Sequence, residues 1–289
     1  MLRALMQDMP LTVDRLLDHA ARWHGGREIV SADANGRVSR SSYAEVHQQA
    51  KQVSNALHAA GIGEGDRVAT MGWNSSRHLA AWYGISGMGA ICHTLNPRLF
   101  PEQIAYIANH AEDRLLFADP EVADLVAELR PLVPSIERVI FFCAEDELPE
   151  TPFPAQSFDR WIAGHGTDFL WGRFDERAAC GLCYTSGTTG NPKGVLYGHR
   201  SNYLHALMTL GADALAISER DTILLVVPMY HANAWGVVYS APAAGARLVL
   251  PGRNLDGESL YRLIEGEGVT YANAVPTIWQ GLLQYVRAN

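Results

Sequence analysis

The stretch Tyr184-Thr185-Ser186-Gly187-Thr188-Thr189-Gly190-Asn191-Pro192-Lys193-Gly194-Val195 gathers hydroxyls, glycines and a lysine into one short segment. Glycine permits positive φ and lets the backbone come close to a ligand. Thr185, Ser186, Thr188 and Thr189 supply hydroxyl donors, and successive backbone N–H groups in such a turn form a concave anion site. Lys193 adds a mobile positive charge. A polyphosphate needs this combination: many short donors, one cation and no bulky side chain in the way. The spacing is not that of a P-loop, because Lys193 follows Pro192 and precedes Gly194, and it is not a GxGxxG dinucleotide fingerprint. A Ser/Thr-rich turn that binds nothing is the plain alternative. The ordered run of hydroxyls, glycines and lysine argues against it. Lys193 is also one of only two lysines, with Lys51, among 23 basic residues.

These residues need elements to hold them. Residues 179–184 read as a strand leading into the loop, and 201–214 as a helix after it. Strands at 222–227, 247–250 and 269–274 then alternate with helices at 233–243, at 256–267 behind an Asp256 cap, and from Pro276 onward. The first part of the chain behaves similarly. A helix from about residue 12 carries Leu16, Leu17, Ala20 and Trp23 on one face. Extended runs at 28–32 and 36–40 flank a turn. Ser42 and Glu45 form a capping box for a helix striped by Val46, Ala50, Val53 and Leu57 and ended by Gly61. Strands at 67–71, 90–95, 114–118 and 138–142 alternate with helices at 75–88, 101–110 and 121–130. This alternation predicts an α/β fold of mostly parallel sheets covered by helices, with right-handed crossovers. Residues 144–176 are acidic and rich in Pro and Gly, and read as a surface connection with a short helix near 158–163. The expected division is therefore a first α/β subdomain at 1–176 and a second at 177–289 that begins with the phosphate loop.

The 184–195 segment resembles the signature of the adenylate-forming superfamily: acyl-CoA synthetases, adenylation domains of peptide synthetases and firefly-type luciferases. Three further segments resemble its medium- and long-chain fatty acyl-CoA synthetase branch. They are Pro228-Met229-Tyr230-His231-Ala232-Asn233-Ala234-Trp235-Gly236, Ala274-Val275-Pro276-Thr277-Ile278-Trp279, and His93-Thr94-Leu95-Asn96-Pro97-Arg98-Leu99 with Pro101-Glu102-Gln103. A close subgroup activates methylthiopropionate. The resemblance covers essentially the whole chain and implies two packed α/β subdomains of the large amino-terminal domain of such an enzyme. It implies that Thr185, Ser186, Gly187, Thr188, Thr189 and Gly190 hold the ATP phosphates with Lys193. It further places Mg²⁺ at Thr185, the carboxylate and adenylate at His231, and the gate of an acyl tunnel at Trp235. Lys193 and His231 are thus the candidate catalytic residues. Without the motif, His231 reads more readily as a satisfied core histidine, and Trp235 equally as ordinary core. Tyr230 and Trp279 read as packing, His199 and Arg200 as organisers of the following helix, and residues 275–277 as a border of the substrate site.

The implied reaction has two halves. A carboxylate attacks the α-phosphate of ATP and expels pyrophosphate; the CoA thiol then attacks the acyl adenylate and releases AMP. Catalysis of this kind is mainly positioning and charge stabilisation. Family members run about twice this length, against ordinary domain sizes. The aromatic-Gly-Thr-Glu and Thr-Gly-Asp segments, the hinge and the distal lysine are not found here. The chain is therefore expected to be an inactive amino-terminal fragment. Other readings remain: a methylthiopropionyl-CoA ligase, a non-catalytic nucleotide- or acyl-binding fragment, a luciferase-like oxidase, or an adenylation domain feeding a carrier protein.

Composition narrows the rest. With 289 residues, 48% hydrophobic and 19% charged, the chain is an ordinary globular sequence. A net charge of −8 and a pI near 5.7 disfavour a nucleic-acid binder that works by neutralising phosphates. The strongest apolar run, 223–227, is far too short to span a bilayer. Cys180 and Cys183 sit three apart on a predicted strand, so their thiols should diverge, and they are expected as buried free thiols instead of a metal or redox pair, in a cytoplasmic protein. The branch also implies a homodimer, with ATP, Mg²⁺, CoA and a small carboxylic acid as partners.

Overall fold

The structure is a computed structural model describing Met6 and residues 8–185 and 191–289. In chain order the first half comprises α1 (Asp14–Trp23), β1 (Glu28–Ala32), β2 (Val38–Ser42), α2 (Tyr43–Ala59), β3 (Arg67–Met71), α3 (Ser76–Gly87), β4 (Ile91–Thr94), α4 (Pro101–Ala111), β5 (Leu115–Ala118), α5 (Ala123–Leu129) and β6 (Arg138–Phe141). The second half comprises β7 (Gln156–Ser157), α6 (Phe158–Ile162), β8 (Ala179–Thr185), β9 (Lys193–Gly198), α7 (His199–Thr209), β10 (Thr222–Leu224), α8 (Val237–Ala244), β11 (Arg247–Leu250), α9 (Gly257–Glu267), β12 (Tyr271–Ala272) and α10 (Pro276–Ala288).

Local chemistry accounts for the boundaries. At α2, Glu45 N–H donates to Ser42 Oγ and Ser42 N–H donates back to Glu45 Oε2, the reciprocal capping expected from the sequence. At α3 and α9 the capping runs one way: His78 N–H donates to Ser75 Oγ, and Ser259 N–H to Asp256 Oδ1. Pro101 and Pro276 open α4 and α10, where a missing N–H costs nothing.

Two sheets result. The larger has the order β7-β6-β5-β3-β4-β8-β9 and is parallel except for the antiparallel β8–β9 pair. The smaller has the order β12-β10-β11-β1-β2, with β1–β2 its antiparallel pair. Helices α1, α2, α3 and α8 fill the space between the sheets and share one core with the inner faces of both. Helices α4 and α5 cover the outer face of the larger sheet, and α9 and α10 that of the smaller. The α/β class with mostly parallel sheets is thus the observed fold.

Some expectations need correction. The sheets do not divide at residue 176: β1 and β2 join the sheet of β10–β12, while β8 and β9 complete the sheet begun by β3. Strand β9 was not foreseen. It is an edge strand, largely exposed, so it carries no buried alternation to reveal it. The helix expected at 233–243 begins only at Val237, because residues 232–236 form a left-handed turn. The 144–176 connection is less free than expected. It adds β7 to the sheet, and it docks Trp171, whose indole Nε1 donates to Ser54 Oγ at 2.8 Å. Cys180 and Cys183 are free and buried, as expected, and so are Cys92 and Cys143.

Candidate functional site

The candidate site is built where strands of both sheets end. Thr185 is the last residue of β8 and Lys193 the first of β9, and the two stand opposite each other in the ladder. Both side chains are exposed. Thr185 and Lys193, which flank the segment expected to bind phosphate, are thus the last pair of the antiparallel β8–β9 ladder. Ser186, Gly187, Thr188, Thr189 and Gly190 lie outside the described residues.

A second segment packs beside this hairpin. After β10 the chain runs through buried residues to His231 and then turns left-handed. Ala232, Asn233, Ala234 and Trp235 have φ between 45° and 53°. Non-glycine residues avoid this region by roughly 1–2 kcal/mol each, so four in succession must be held by tertiary contacts. Several are visible. Asn233 is buried, and the Cys183 thiol, two residues before Thr185, donates to its Oδ1 at 3.6 Å. Gly236 leaves the turn at φ 77°, and a β-carbon there would stand 2.5 Å from the His205 ring on α7. Helix α8 then begins. The turn leaves His231 exposed and Trp235 41% exposed, so neither is a core residue. Tyr230 is buried and packs edge-on against Trp73, with ring centres 6.0 Å apart.

What fixes the approach to this turn is Asn74, at the exit of β3. Its Nδ2 donates to the carbonyls of Leu225 (2.7 Å) and Val227 (3.0 Å), while its Oδ1 accepts from Met229 N–H at 2.7 Å. Its own carbonyl accepts from Gly252 N–H at 3.2 Å. One buried side chain thus ties the end of the larger sheet to the segment leaving the smaller one. Two titratable groups hold the neighbouring backbone. Asp119 accepts from Trp73 N–H, and burial pushes its carboxyl up to about 8. His78 bridges Trp73 O (2.9 Å) and Thr70 Oγ1 (3.0 Å), and burial lowers its imidazole to about 4, which keeps it neutral.

Beside Trp73 lies a pocket of about 740 Å³, bordered by Arg98, Asp124, Arg253, Asp256 and Ile278. Of the 274–279 segment, Ile278 reaches it, whereas Val275, Pro276 and Thr277 are exposed at the start of α10. His199 is buried beneath the hairpin, and its Nδ1 accepts from Val13 N–H at 3.3 Å, in keeping with an organising role. Among the described residues no group of three His, Cys, Asp or Glu side chains is placed to hold a metal.

The structure thus brings together Thr185, Lys193 and the turn carrying His231 and Trp235. Sequence reasoning missed Asn74, Trp73 and Asp119. Asn74 lies between the strand read at 67–71 and the helix read at 75–88, where no local pattern marks it. Its partners are about 150 residues away, a separation no local pattern reports.

Comparison with known proteins gives a consistent picture. Residues 17–289 match the family model described as AMP-binding enzyme. The chain is 47% identical over 284 residues to the medium-chain-fatty-acid–CoA ligase of Ectopseudomonas oleovorans, covering 98% of this chain and 52% of that protein. It is likewise 47% identical over 282 residues to the 3-methylmercaptopropionyl-CoA ligase of Ruegeria lacuscaerulensis, covering 97% of this chain and 52% of that protein. The chain therefore spans about half the length of the curated relatives it matches. Among solved structures, an anthranilate CoA ligase in complex with anthranoyl-AMP superposes with a TM-score of 0.82 at 24% identity, over 96% of this chain and 52% of that one. The N-terminal domain of FACL13 from Mycobacterium tuberculosis does so with a TM-score of 0.80 at 24% identity, over 93% of this chain and 64% of that one. At that identity the structural likeness speaks for the fold.

Proposed function

This chain belongs to the AMP-binding enzyme family, and on that premise we propose that it forms the ATP- and acid-binding part of an acid–CoA ligase acting on a medium- or long-chain carboxylic acid. One observation carries the reading. The hairpin that presents Thr185 and Lys193 is packed, through Cys183 and Asn233, against the turn that presents His231 and Trp235. A phosphate-binding element and an acid-binding element then face one reaction space.

In this proposal the hydroxyls and backbone N–H groups of 185–190, with Lys193, hold the triphosphate and stabilise charge on departing pyrophosphate. Lys193 stands on a strand end and is exposed, so it reaches a ligand without being desolvated first. His231 orients the attacking carboxylate, and Trp235 borders the acyl chain. Thr185 offers Mg²⁺ one exposed hydroxyl, and the remaining ligands of so hard a cation would be phosphate oxygens and water. When bound, the ion supplies charge neutralisation at the phosphates. CoA enters only in the second half of the reaction.

The finer points are also proposals. The substrate is a fatty acid or 3-methylmercaptopropionate, since relatives with either activity stand at the same 47% identity. The 289 residues by themselves bind ATP and acid but do not form the thioester, because the segments expected to supply the acidic Mg²⁺ ligand and the ribose anchor are not found among them. A cytoplasmic homodimer is the assembly proposed, and light scattering at high concentration tests it. No helix among the described residues is long and apolar enough to cross a membrane. The decisive experiment is acid-dependent exchange of labelled pyrophosphate into ATP, run on this chain and on a longer protein containing it. The acids tested range from 3-methylmercaptopropionate to long fatty acids. Exchange by the longer protein with one of these acids is expected. Absence of exchange with every acid, together with absence of ATP binding, would sink the reading.

A further inference from the structure

Tyr184 stands at the point where the larger sheet releases the phosphate loop, and four elements converge on its side chain. From α4, His110 Nδ1 shares a hydrogen bond of 2.6 Å with the Tyr184 hydroxyl. The same imidazole meets the phenol ring edge-on, with centres 5.9 Å apart at 88°. From β4, the His93 ring lies 5.3 Å from the phenol, centre to centre. From β9, Gly194 leaves its place empty: a β-carbon there would stand 3.2 Å from Tyr184 Cζ, so the phenol lies across the residue after Lys193. On the strand itself, Leu182 completes the wall with Ile91.

His93 is held with unusual firmness. It is fully buried, and its Nδ1–H donates to both oxygens of the equally buried Asp113 carboxylate, at 2.8 and 2.9 Å. Its Nε2 is buried with no hydrogen-bond partner among the described residues. One ring nitrogen thus takes the whole polar anchoring of the imidazole, which sets the ring plane that Tyr184 rests on. Leaving a buried nitrogen unpaired has a cost, and a residue kept there despite it is kept for its position.

We propose that Tyr184 is a positioning residue for nucleotide binding, clamped by His110, His93 and Gly194 so that Thr185 and Lys193 face the triphosphate in fixed register. The ladder supplies the reason. Thr185 follows Tyr184 on β8, and Lys193 precedes Gly194 on β9, so the phenol joins the two residues that flank the loop ends. Free rotation of that ring would let the outermost pair fray, and both phosphate-facing groups would lose their starting point. This proposal rests on the functional reading above and adds the device that aims its loop.

The test uses Tyr184→Phe and His110→Ala, neither of which removes a fully buried group, together with their combination and His110→Asn. Two quantities are read on the purified chain: amide exchange at Thr185 and Lys193, and dissociation constants for trinitrophenyl-ATP and for a fatty acid. Loss of one hydrogen bond predicts a weakening of nucleotide binding by about 3–10-fold in each single variant. Acid affinity and Tm should stay unchanged, and exchange should be faster at both amides. The double variant should be no weaker than either single one, because both remove the same bond. His110→Asn, which returns a hydrogen-bonding atom near the position of Nδ1, should restore wild-type values. Unchanged nucleotide affinity, or equal weakening for acid and nucleotide, would overturn the proposal. Wild-type protein that bound no nucleotide would instead remove the functional reading, and the amide exchange rates would then decide by themselves whether the clamp exists.

Discussion

Lys193 and Asp14 show how differently two charged residues contribute. Lys193 is exposed and stands opposite Thr185, so under the proposed function its contribution is to bound ATP and not to the fold. Lys193→Ala in the longer enzyme should slow pyrophosphate exchange by on the order of 10-fold, less than the roughly 100-fold or more of a preorganised oxyanion donor because the lysine is exposed. Rates equal to wild type would make it a solvated loop lysine. Asp14 is buried under the strap that follows α6, and burial raises its carboxyl from the ordinary 3.8 to about 6. An acid with a raised folded-state pKa favours the fold at low pH, and that contribution is lost as pH rises from about 4 through 6. Asp14→Asn removes this dependence. Its stability relative to wild type should improve by about 3 kcal/mol between pH 3.5 and pH 8, from a shift of about two units at 1.36 kcal/mol each. Urea unfolding at the two pH values measures it, and a difference independent of pH would refute the burial argument.

At the scale of elements, α8 shows how a helix that breaks a rule is repaired. Pro242 lies inside it and cannot donate to the carbonyl of Val238. The hydroxyl of Tyr83 on α3 fills the vacancy, donating to Val238 O at 2.8 Å from a fully buried position. Beside it, Trp82 Nε1 donates to the Tyr239 hydroxyl at 3.0 Å. These bonds anchor α8 directly behind the left-handed turn, so they bear on where His231 and Trp235 emerge. Tyr83→Phe keeps the packing and orphans one carbonyl, and should cost about 1–3 kcal/mol in chemical unfolding. No measurable loss would mean that water or a shifted neighbour satisfies Val238.

Across the whole molecule, two sheets interleave in sequence and meet through Asn74. Its side chain alone provides two donated bonds and one accepted bond to the segment leaving the smaller sheet. Asn74→Ala would leave two carbonyls and one N–H buried without partners. A loss on the order of 3–5 kcal/mol is expected. Because Asn74 holds the approach to His231, acid affinity should fall even in the fraction that folds. Calorimetric unfolding and fatty-acid binding check the two parts separately. A variant as stable as wild type would show that the sheets are joined by packing alone.

The sequence by itself determined what is written in short-range chemistry. The Ser42–Glu45 box, the Asp256 cap, the opening prolines and the strand–helix alternation needed only neighbours within a few residues, and they place most elements correctly. The chemistry proposed for the 185–193 segment was likewise read from hydroxyls, glycines and a lysine within a few positions of one another. Tertiary structure decided the rest. Edge strand β9 is held by pairing with β8, and nothing in its own exposed pattern announced it. The left-handed run at 232–235 opposes local preference and persists only because Cys183, His205 and α8 over-determine it. The sheets ignore the boundary at 176 because β1 finds its parallel partner in β11, more than two hundred residues later. Which distant backbone an Asn74 or a Tyr83 satisfies depends on contacts that exist only once the chain has closed on itself.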